Sequence, residues 1–316
     1  MARRKLILDV DTGTDDAVAI MLAAPHPDLE LVACTTVNDN CAIEHATENT
    51  LRTLDHIGRS DIPVLADLSR PIARTDFPIP RGQRDTGVHF VELPLAPARS
   101  KAREANAVEF LIETYRNATD AITLAPVGPL SNIAAALALF PELVDCLPEV
   151  VIMGGGHGVA NVTPSAEFNM WADPEAAAPV LAAGFRNLTL VPLDATHKAV
   201  ISLEQCRTLR ASLRPAAEAA AVFVEKRIEG YRSYQILSDQ DAAPIHDALC
   251  VAALSEPDLI ETGDYFVAVE TAGALTMGRT VIDTSFRSLR EPDARVAMNA
   301  DTERFGRFVL DTLIDN

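Results

Sequence analysis

The sequence has few basic residues for its length, and this shortage excludes several classes of partner. Among 316 residues, lysine and arginine number 27 and aspartate and glutamate 45, which gives a formal net charge of −18. A surface this acidic repels nucleic acid and anionic membranes. We therefore expect no nucleic acid and no membrane as a partner, and instead a cation or a neutral small molecule.

Cysteines and long hydrophobic runs are also scarce. The cysteines lack CxxC spacing, and their odd number argues against a disulfide framework and favours buried thiols in a reducing compartment. They are Cys34, Cys41, Cys146, Cys206 and Cys250. The apolar run after the basic start is interrupted by Asp9 and Asp11, so we predict no secretory signal and no transmembrane segment. These absences favour a cytoplasmic protein.

The chain alternates strand-like and helix-like segments. Repeated βα units predict an α/β fold, with an open, mostly parallel, doubly wound sheet and helices on both faces. We see no break in composition and expect one domain over 1–316. Strands are predicted at 6–10, 29–37, 62–65, 121–125, 149–153, 188–193, 265–269 and 280–282, and helices at 42–57, 105–117, 130–140, 174–183, 203–237 and 243–254 and from 302.

The stretch at about 67–103 has no sustained period and is rich in proline and arginine. It is too long for a routine connection. We expect a long mobile loop that serves as a functional lid, an oligomer contact or a variable excursion.

Four carboxylates crowd the junction between the first strand and the first helix, at Asp9, Asp11, Asp15 and Asp16. Each could have a local role, with Asp15 as the helix N-cap and Asp16 complementing the helix dipole. Like charges this close repel unless a cation or a raised pKa relieves them. The junction therefore also suits a divalent cation with oxygen ligands.

Further polar clusters follow later strands, at 37–40, 125–132, 153–158, 161–170 and 244–248. The glycine-rich cluster at 153–158 lacks the lysine of a P-loop and the spacing of a dinucleotide fingerprint. Glu167 and Asn169 would point the same way in an extended segment, or lie on a solvated loop. A lone histidine such as His246, at the start of an apolar helix, is more often a structural residue.

The segment DVDTGTDDA at 9–17 resembles the DxDxGxDDA signature of the calcium-dependent, inosine-uridine-preferring nucleoside hydrolases. The resemblance continues at 37–40, 126–133, 153–156, 161–174 and 246–247, in family order. It covers nearly the whole chain. It implies a homodimer or homotetramer that cleaves ribosides with water.

The resemblance also implies roles for single residues. Ca²⁺ would be bound by Asp11, Asp15, Asp16, Asp247 and the carbonyl of Val127. Asp11 would be the general base for a calcium-activated water, and His246 the acid for the leaving base. The sugar 2′- and 3′-hydroxyls would be held by Asn40, Asp15, Asn169 and Asp247, and the 5′-hydroxyl by Asn161 and Glu167.

The chain departs from the family pattern at several positions. Asp39 replaces a common glycine and could bear on the metal or turn outward, and Val127 replaces a threonine. Arg81 lies where many members have a loop histidine, and His89 lies further on. A permanently charged guanidinium cannot donate a proton at neutral pH, but it could bind an anionic or carbonyl-bearing aglycone.

Alternative functions fit parts of the sequence. The segment LILDVDTGT at 6–14 also fits a haloacid-dehalogenase-type phosphatase, with Asp9 as nucleophile, Asp11 as acid and Mg²⁺ as metal. That hypothesis leaves Asp15, Asp16 and Asp247 without roles. The second alternative is a non-catalytic relative that binds calcium or ribose, and Arg81 in place of the loop histidine is the strongest argument for it.

Two tyrosines lie in a helical stretch that lines the base pocket in the family. Tyr231 and Tyr234 would stack on the base or pack in the core.

Overall fold

An eight-stranded sheet forms the centre of the structure, which is a computed structural model that describes residues 3–75, 87–235 and 237–315. Its strands, in spatial order, are β3 (Val64–Ala66), β2 (Leu29–Thr36), β1 (Arg4–Val10), β4 (Ile122–Pro126), β5 (Val150–Met153), β6 (Leu188–Val191), β12 (Ala294–Ala300) and β9 (Ile260–Tyr265). Neighbours in this sheet run parallel except for β12 and β9, which are antiparallel.

Two short antiparallel pairs and a set of helices surround this sheet. The pairs are β7 (Val200–Ser202) with β8 (Ala242–Pro244), and β10 (Val267–Val269) with β11 (Thr280–Ile282). The helices are α1 (Thr14–Ala23), α2 (Ile43–His56), α3 (Ala107–Asn117), α4 (Ser131–Leu139), α5 (Leu143–Cys146), α6 (Phe168–Ala172), α7 (Pro174–Leu181), α8 (Leu193–Thr196), α9 (Leu203–Ala211), α10 (Pro215–Ser233), α11 (His246–Ser255) and α12 (Thr302–Asp315), with a 3₁₀ turn at Pro257–Leu259.

Helices cover both faces of the sheet, as the alternation of β1 shows. Leu6 and Leu8 point into a core built with α1, α10, α11 and α12, whereas Ile7 points into a second core with α3, α4 and α7. A strand buried on both faces is a continuous apolar run, which is why 6–8 lacks polar alternation. The predicted α/β class with helices on both faces is confirmed.

The strand order reverses beside β1, which pairs with β2 on one side and with β4 on the other. Chain connections then leave in opposite directions, and a crevice opens at the carboxyl ends of these strands. The acidic motif that follows β1 therefore lies at this crevice.

Several predicted boundaries are wrong. The helical stretches predicted over 203–237 are α9 and α10, which divide where Leu213 adopts a left-handed φ of 56° and Pro215 begins a new helix, and α10 ends at Ser233, before the predicted end. The helix predicted from 243 begins at His246, since Ala242–Pro244 is a strand. The expected strand at 265–269 divides between β9 and β10, which belong to different sheets.

The predicted long loop lies between β3 and α3. Its described parts, 67–75 and 87–103, contain no helix and no strand. Its mobility remains a prediction. Over the described ranges, no helix is long and apolar enough to cross a membrane.

Candidate active site

The acidic motif leaves β1 as a tight loop that buries its carboxylates. The Asp16 carboxylate accepts backbone N–H groups from Asp11 at 3.2 Å and from Gly13 at 2.9 Å. These bonds make Gly13 the N-cap, with Asp16 closing the first turn of α1. The alternative that Asp15 caps this helix is therefore wrong, because Asp15 lies inside the first turn and lines the crevice.

Gly13 allows the close approach of His89. A β-carbon at this position would lie 2.2 Å from Nδ1 of His89. That nitrogen accepts the backbone N–H of Thr14 at 3.1 Å and lies 3.8 Å from Oδ1 of Asp15. The loop after 87 thus brings a histidine to the acidic motif. Sequence reasoning noted His89 but gave it no role, since loop residues carry no periodic signal.

A carboxylate from the far end of the chain joins the motif. Helix α11 packs against α1, and Asp247 lies in its first turn. One carboxylate oxygen from each of Asp15, Asp16 and Asp247 lies within 4.8 Å of the other two. This spacing lets a single cation contact all three side chains.

Asp11 lies beside this group and is oriented by the end of the second strand. Its Oδ2 accepts the backbone N–H of Asn40 at 2.9 Å, and the Asn40 amide lies 3.4 Å from Oδ2 of Asp16. Asp39, whose orientation the sequence left open, is only 1% exposed and lines the same cavity. The cavity therefore gathers more carboxylates than the sequence motif alone supplies.

Burial raises the pKa of Asp11, Asp16 and Asp247, and repulsion from neighbouring carboxylates raises it further. The pKa values of Asp11 and Asp247 lie well above the usual range, and the pKa of Asp16 is raised to about 7. A bound cation would relieve both the burial cost and the repulsion. Because every donor here is an oxygen, the residues fit a hard ion such as Ca²⁺.

Val127 and Asn169 meet at the wall of this cavity. The carbonyl of Val127 accepts the side-chain amide of Asn169 at 2.7 Å, while its N–H donates to the carbonyl of Asp9 at 2.8 Å. A carbonyl oxygen has two lone pairs, so this bond leaves one for a further ligand. The substitution of threonine by valine does not alter that carbonyl.

Glu167 and Asn169 lie neither in one extended segment nor on a solvated loop, and both buried side chains line the cavity. Glu167 is the N-cap of the short helix α6 and accepts backbone N–H groups from Asn169 and Met170. It also accepts the N–H of Gly155 at 2.8 Å, which ties the glycine-rich turn to the site. Burial raises the pKa of Glu167 to about 7.

This raised pKa predicts a pH-dependent stability. The folded state holds the Glu167 proton more tightly than the unfolded state, whose pKa is near 4.5. Ionisation therefore lowers the free energy of unfolding as the pH rises through this window. We compare the free energies of unfolding of Glu167→Gln and wild type in metal-stripped protein. The difference should shift in favour of the variant by roughly 3 kcal/mol as the pH rises from about 4 to about 8. Urea unfolding measures this, and a pH-independent difference would contradict it.

His246 is held at both ring nitrogens. Its Nε2 lies 2.7 Å from the Tyr231 hydroxyl, and its Nδ1 lies 2.7 Å from Oγ1 of Thr196. Burial, together with the nearby charge of Arg227, lowers the pKa of His246 well below its usual value. The ring is therefore neutral at neutral pH and reaches the cavity beside Tyr231.

Arg227 is a site residue that sequence reasoning missed. It is 1% exposed and lies 2.8 Å from Oδ1 of Asp15. The available signal was its position on α10, three residues after buried Val224 and four before buried Tyr231. That spacing places a charge on the apolar face of the helix.

These residues surround a cavity of about 430 Å³, within the range of small-molecule sites. Asn161 also lines it, and among the described residues none hydrogen-bonds its buried Oδ1. Tyr234 donates to the Asn161 carbonyl at 2.7 Å. Arg81 lies outside the described residues. The other predicted site residues all lie in or beside this cavity: Asp11, Asp15, Asp16, Asn40, Val127, Asn161, Glu167, Asn169, His246 and Asp247.

Comparison with known sequences identifies similar proteins over almost the entire chain. A family model described as inosine-uridine preferring nucleoside hydrolase matches residues 6–307. The pyrimidine-specific ribonucleoside hydrolase RihA of Shewanella sp. (strain ANA-3) is 36% identical, covering 98% of this chain and 96% of that protein. The pyrimidine-specific ribonucleoside hydrolase RihB of Escherichia coli (strain SE11) is 34% identical, covering 96% and 95%.

Solved structures of the same kind share the fold. A purine-preferring ribonucleoside hydrolase from Gardnerella vaginalis has a TM-score of 0.89 at 27% identity, covering 99% of this chain and 98% of that one. A plant nucleoside hydrolase, the PpNRh1 enzyme, has a TM-score of 0.90 at 27% identity, covering 99% of both chains.

Proposed function

This chain belongs to the family of inosine-uridine preferring nucleoside hydrolases, and we propose that it splits ribonucleosides at the acidic cavity, around one bound Ca²⁺. Hydrolysis of a ribonucleoside to free base and ribose is the activity of its family. The observation that supports this site is the convergence of Asp15, Asp16 and Asp247 within 4.8 Å at the crevice of the sheet.

The proposed ion is bound by oxygen atoms alone. The ligands would be carboxylates of Asp11, Asp15, Asp16 and Asp247 and the carbonyl of Val127. The raised pKa values of Asp11, Asp16 and Asp247 support a cation among them. When bound, Ca²⁺ supplies the charge that keeps these acids ionised and polarises the attacking water.

Asp11 is the proposed general base. Its Oδ2 is fixed by the Asn40 N–H, and its other oxygen would contact a β-carbon at Gly128 at 2.8 Å. Gly128 therefore lets the chain pass closer to this carboxylate than a residue with a side chain could. Asp11 takes a proton from a water molecule as this water attacks the anomeric carbon.

The sugar is bound through its hydroxyl groups. We assign the 2′- and 3′-hydroxyls to Asp15, Asn40, Asn169 and Asp247, and the 5′-hydroxyl to Asn161 and Glu167. The buried Oδ1 of Asn161 supports this assignment, since a sugar hydroxyl would satisfy it. Because the transition state resembles an oxocarbenium ion, carboxylates near the ring also stabilise its positive charge.

The leaving base is stabilised through Tyr231 and His246. Both nitrogens of His246 are engaged, so its effect reaches the cavity through the Tyr231 hydroxyl. When the neutral ring carries its proton on Nε2, this N–H donates to the Tyr231 oxygen and Nδ1 accepts the Thr196 hydroxyl, so the Tyr231 proton is left for the base and His246 is not itself the acid. We therefore propose that Tyr231 donates a hydrogen bond to the departing base and that His246 positions it.

This assignment predicts a dependence on the leaving group. Tyr231→Phe should lower kcat on uridine about 100-fold, because it removes one donor to the developing negative charge. Turnover of p-nitrophenyl riboside should change little, since p-nitrophenolate leaves without such a donor, and His246→Ala should follow the same pattern. Tyr115→Phe, buried on the opposite face of the sheet, is the matched control. Equal losses on both substrates would rule the assignment out.

A panel of ribosides tests the function itself. Purified enzyme with Ca²⁺ should release reducing sugar from one or more purine or pyrimidine ribonucleosides, and a chelator should prevent this. Absence of ribose release from every riboside would contradict the proposed function and favour the non-catalytic alternative. The homodimer or homotetramer and the cytoplasmic location remain predictions. Light scattering coupled to size-exclusion chromatography measures the molar mass and so tests the oligomeric state.

The phosphatase alternative does not fit the site. Its nucleophile would be Asp9, which is fully buried and accepts bonds from Thr35 and Asn132. A nucleophile held in this way cannot reach a phosphate monoester. Release of phosphate from such an ester, lost in Asp9→Asn, is the result that would restore this alternative.

A further inference from the structure

A single buried arginine lies at the edge of the acidic cluster. Arg227 is the only arginine or lysine among the described residues that line the cavity. Its Nη1 lies 2.8 Å from Oδ1 of Asp15, and both side chains are almost fully buried. A buried charge needs a charged partner, so this ion pair is structurally fixed.

The same guanidinium joins the two segments that carry the acids. Nη1 donates to Oγ1 of Thr14 at 3.3 Å, at the start of α1. Nε donates to the carbonyl of Pro244 at 2.8 Å, two residues before His246. Arg227 therefore fixes the position of Asp15 relative to the residues that begin α11.

The position of the Asp15 carboxylate matters for sugar binding. Asp15 lies in the first turn of α1 and lines the cavity. The pair with Arg227 occupies one carboxylate oxygen and restricts rotation of the side chain. A fixed acceptor discriminates strongly, since a sugar that lacks its hydroxyl leaves the acceptor unpaired in a buried site. An acceptor that can rotate finds another partner and discriminates less.

We propose that Arg227 is a positioning residue that fixes Asp15 against the sugar 2′,3′-diol and thereby sets the preference for ribose over 2′-deoxyribose. This inference rests on the proposed function, in which Asp15 binds that diol. Arg227 itself takes no part in bond cleavage.

The test compares Arg227→Met, which keeps an apolar chain, with Arg227→Lys, which keeps the charge. Arg232→Met on the same helix is the control, since Arg232 is partly exposed and pairs with Asp241. Turnover is measured on uridine and 2′-deoxyuridine with saturating Ca²⁺. Binding of an iminoribitol and of its 2-deoxy counterpart is measured by calorimetry, independently of turnover.

Arg227→Met should lose about 100-fold in kcat/KM on uridine, the scale of a misplaced contact, and much less on 2′-deoxyuridine. Its preference for the iminoribitol over the 2-deoxy compound should fall in parallel. Arg227→Lys should retain part of both preferences, and Arg232→Met should match wild type.

The outcomes separate this inference from the proposed function. Equal losses on the two sugars, with the binding preference intact, would make Arg227 merely structural while the hydrolase stands. If wild type releases no ribose but prefers the iminoribitol, and Arg227→Met loses that preference, the function fails and the positioning role stands. If wild type shows neither turnover nor preference, both proposals fail. Should Arg227→Met not fold, the ratio in Arg227→Lys decides.

Discussion

Replacing Asp11 with asparagine should lower kcat on uridine by about 1,000-fold while the fold is preserved. Asparagine has nearly the same shape and still accepts the N–H of Asn40, but it cannot take a proton from water. Steady-state kinetics at saturating Ca²⁺ and circular dichroism measure the two effects.

The matched control for this variant is Asp120→Asn. Asp120 is an exposed carboxylate paired with Lys5, and its replacement should leave kcat unchanged. If Asp11→Asn keeps a tenth of the wild-type kcat, Asp11 is not the general base.

Removing the metal should abolish turnover and destabilise the protein. Without a cation, the clustered carboxylates repel one another, and burial with this repulsion raises the pKa of Asp16 and of Asp247. Ca²⁺ at about 1,000 times its Kd should stabilise the stripped protein by about 4 kcal/mol. Dialysis against a chelator, followed by kinetics and thermal unfolding, measures both effects.

Two results would contradict this prediction. One is full activity after exhaustive chelation, confirmed by metal analysis of the protein. The other is a Tm that does not change when Ca²⁺ is restored. Recovery of activity with Ca²⁺ is the accompanying positive control.

The fold was largely predictable because strands and helices alternate with clear periods. Strand β12 was missed because Ala294–Ala300 includes arginine, methionine and asparagine and follows a charged segment. Its place in the sheet depends on pairing with β6 and β9, which no local pattern reveals. The short helix α6 was missed for the same reason, since tertiary contacts of Glu167 stabilise its start.

The acids at 9–16 were identifiable because they crowd one motif, whereas Asp247 was assigned only through the family resemblance, and the partners of these acids were not identifiable. An arginine in a helix is usually on a solvated face, and only the packing of α10 places Arg227 against Asp15. The hydrogen bonds from Tyr231 to His246 and from His246 to Thr196 join three separate segments of the polypeptide. Sequence reasoning could name His246 but not the hydroxyls that bind both its nitrogens.

Calorimetric titration of metal-stripped protein with Ca²⁺ tests most directly whether acids from both ends of the chain bind one ion. Wild type should bind one Ca²⁺ per chain, and Asp16→Asn and Asp247→Asn should each weaken binding about 100-fold or more, whereas Asp120→Asn should bind as wild type does. If Asp247→Asn binds Ca²⁺ as tightly as wild type, or if wild type binds none, the shared site does not exist.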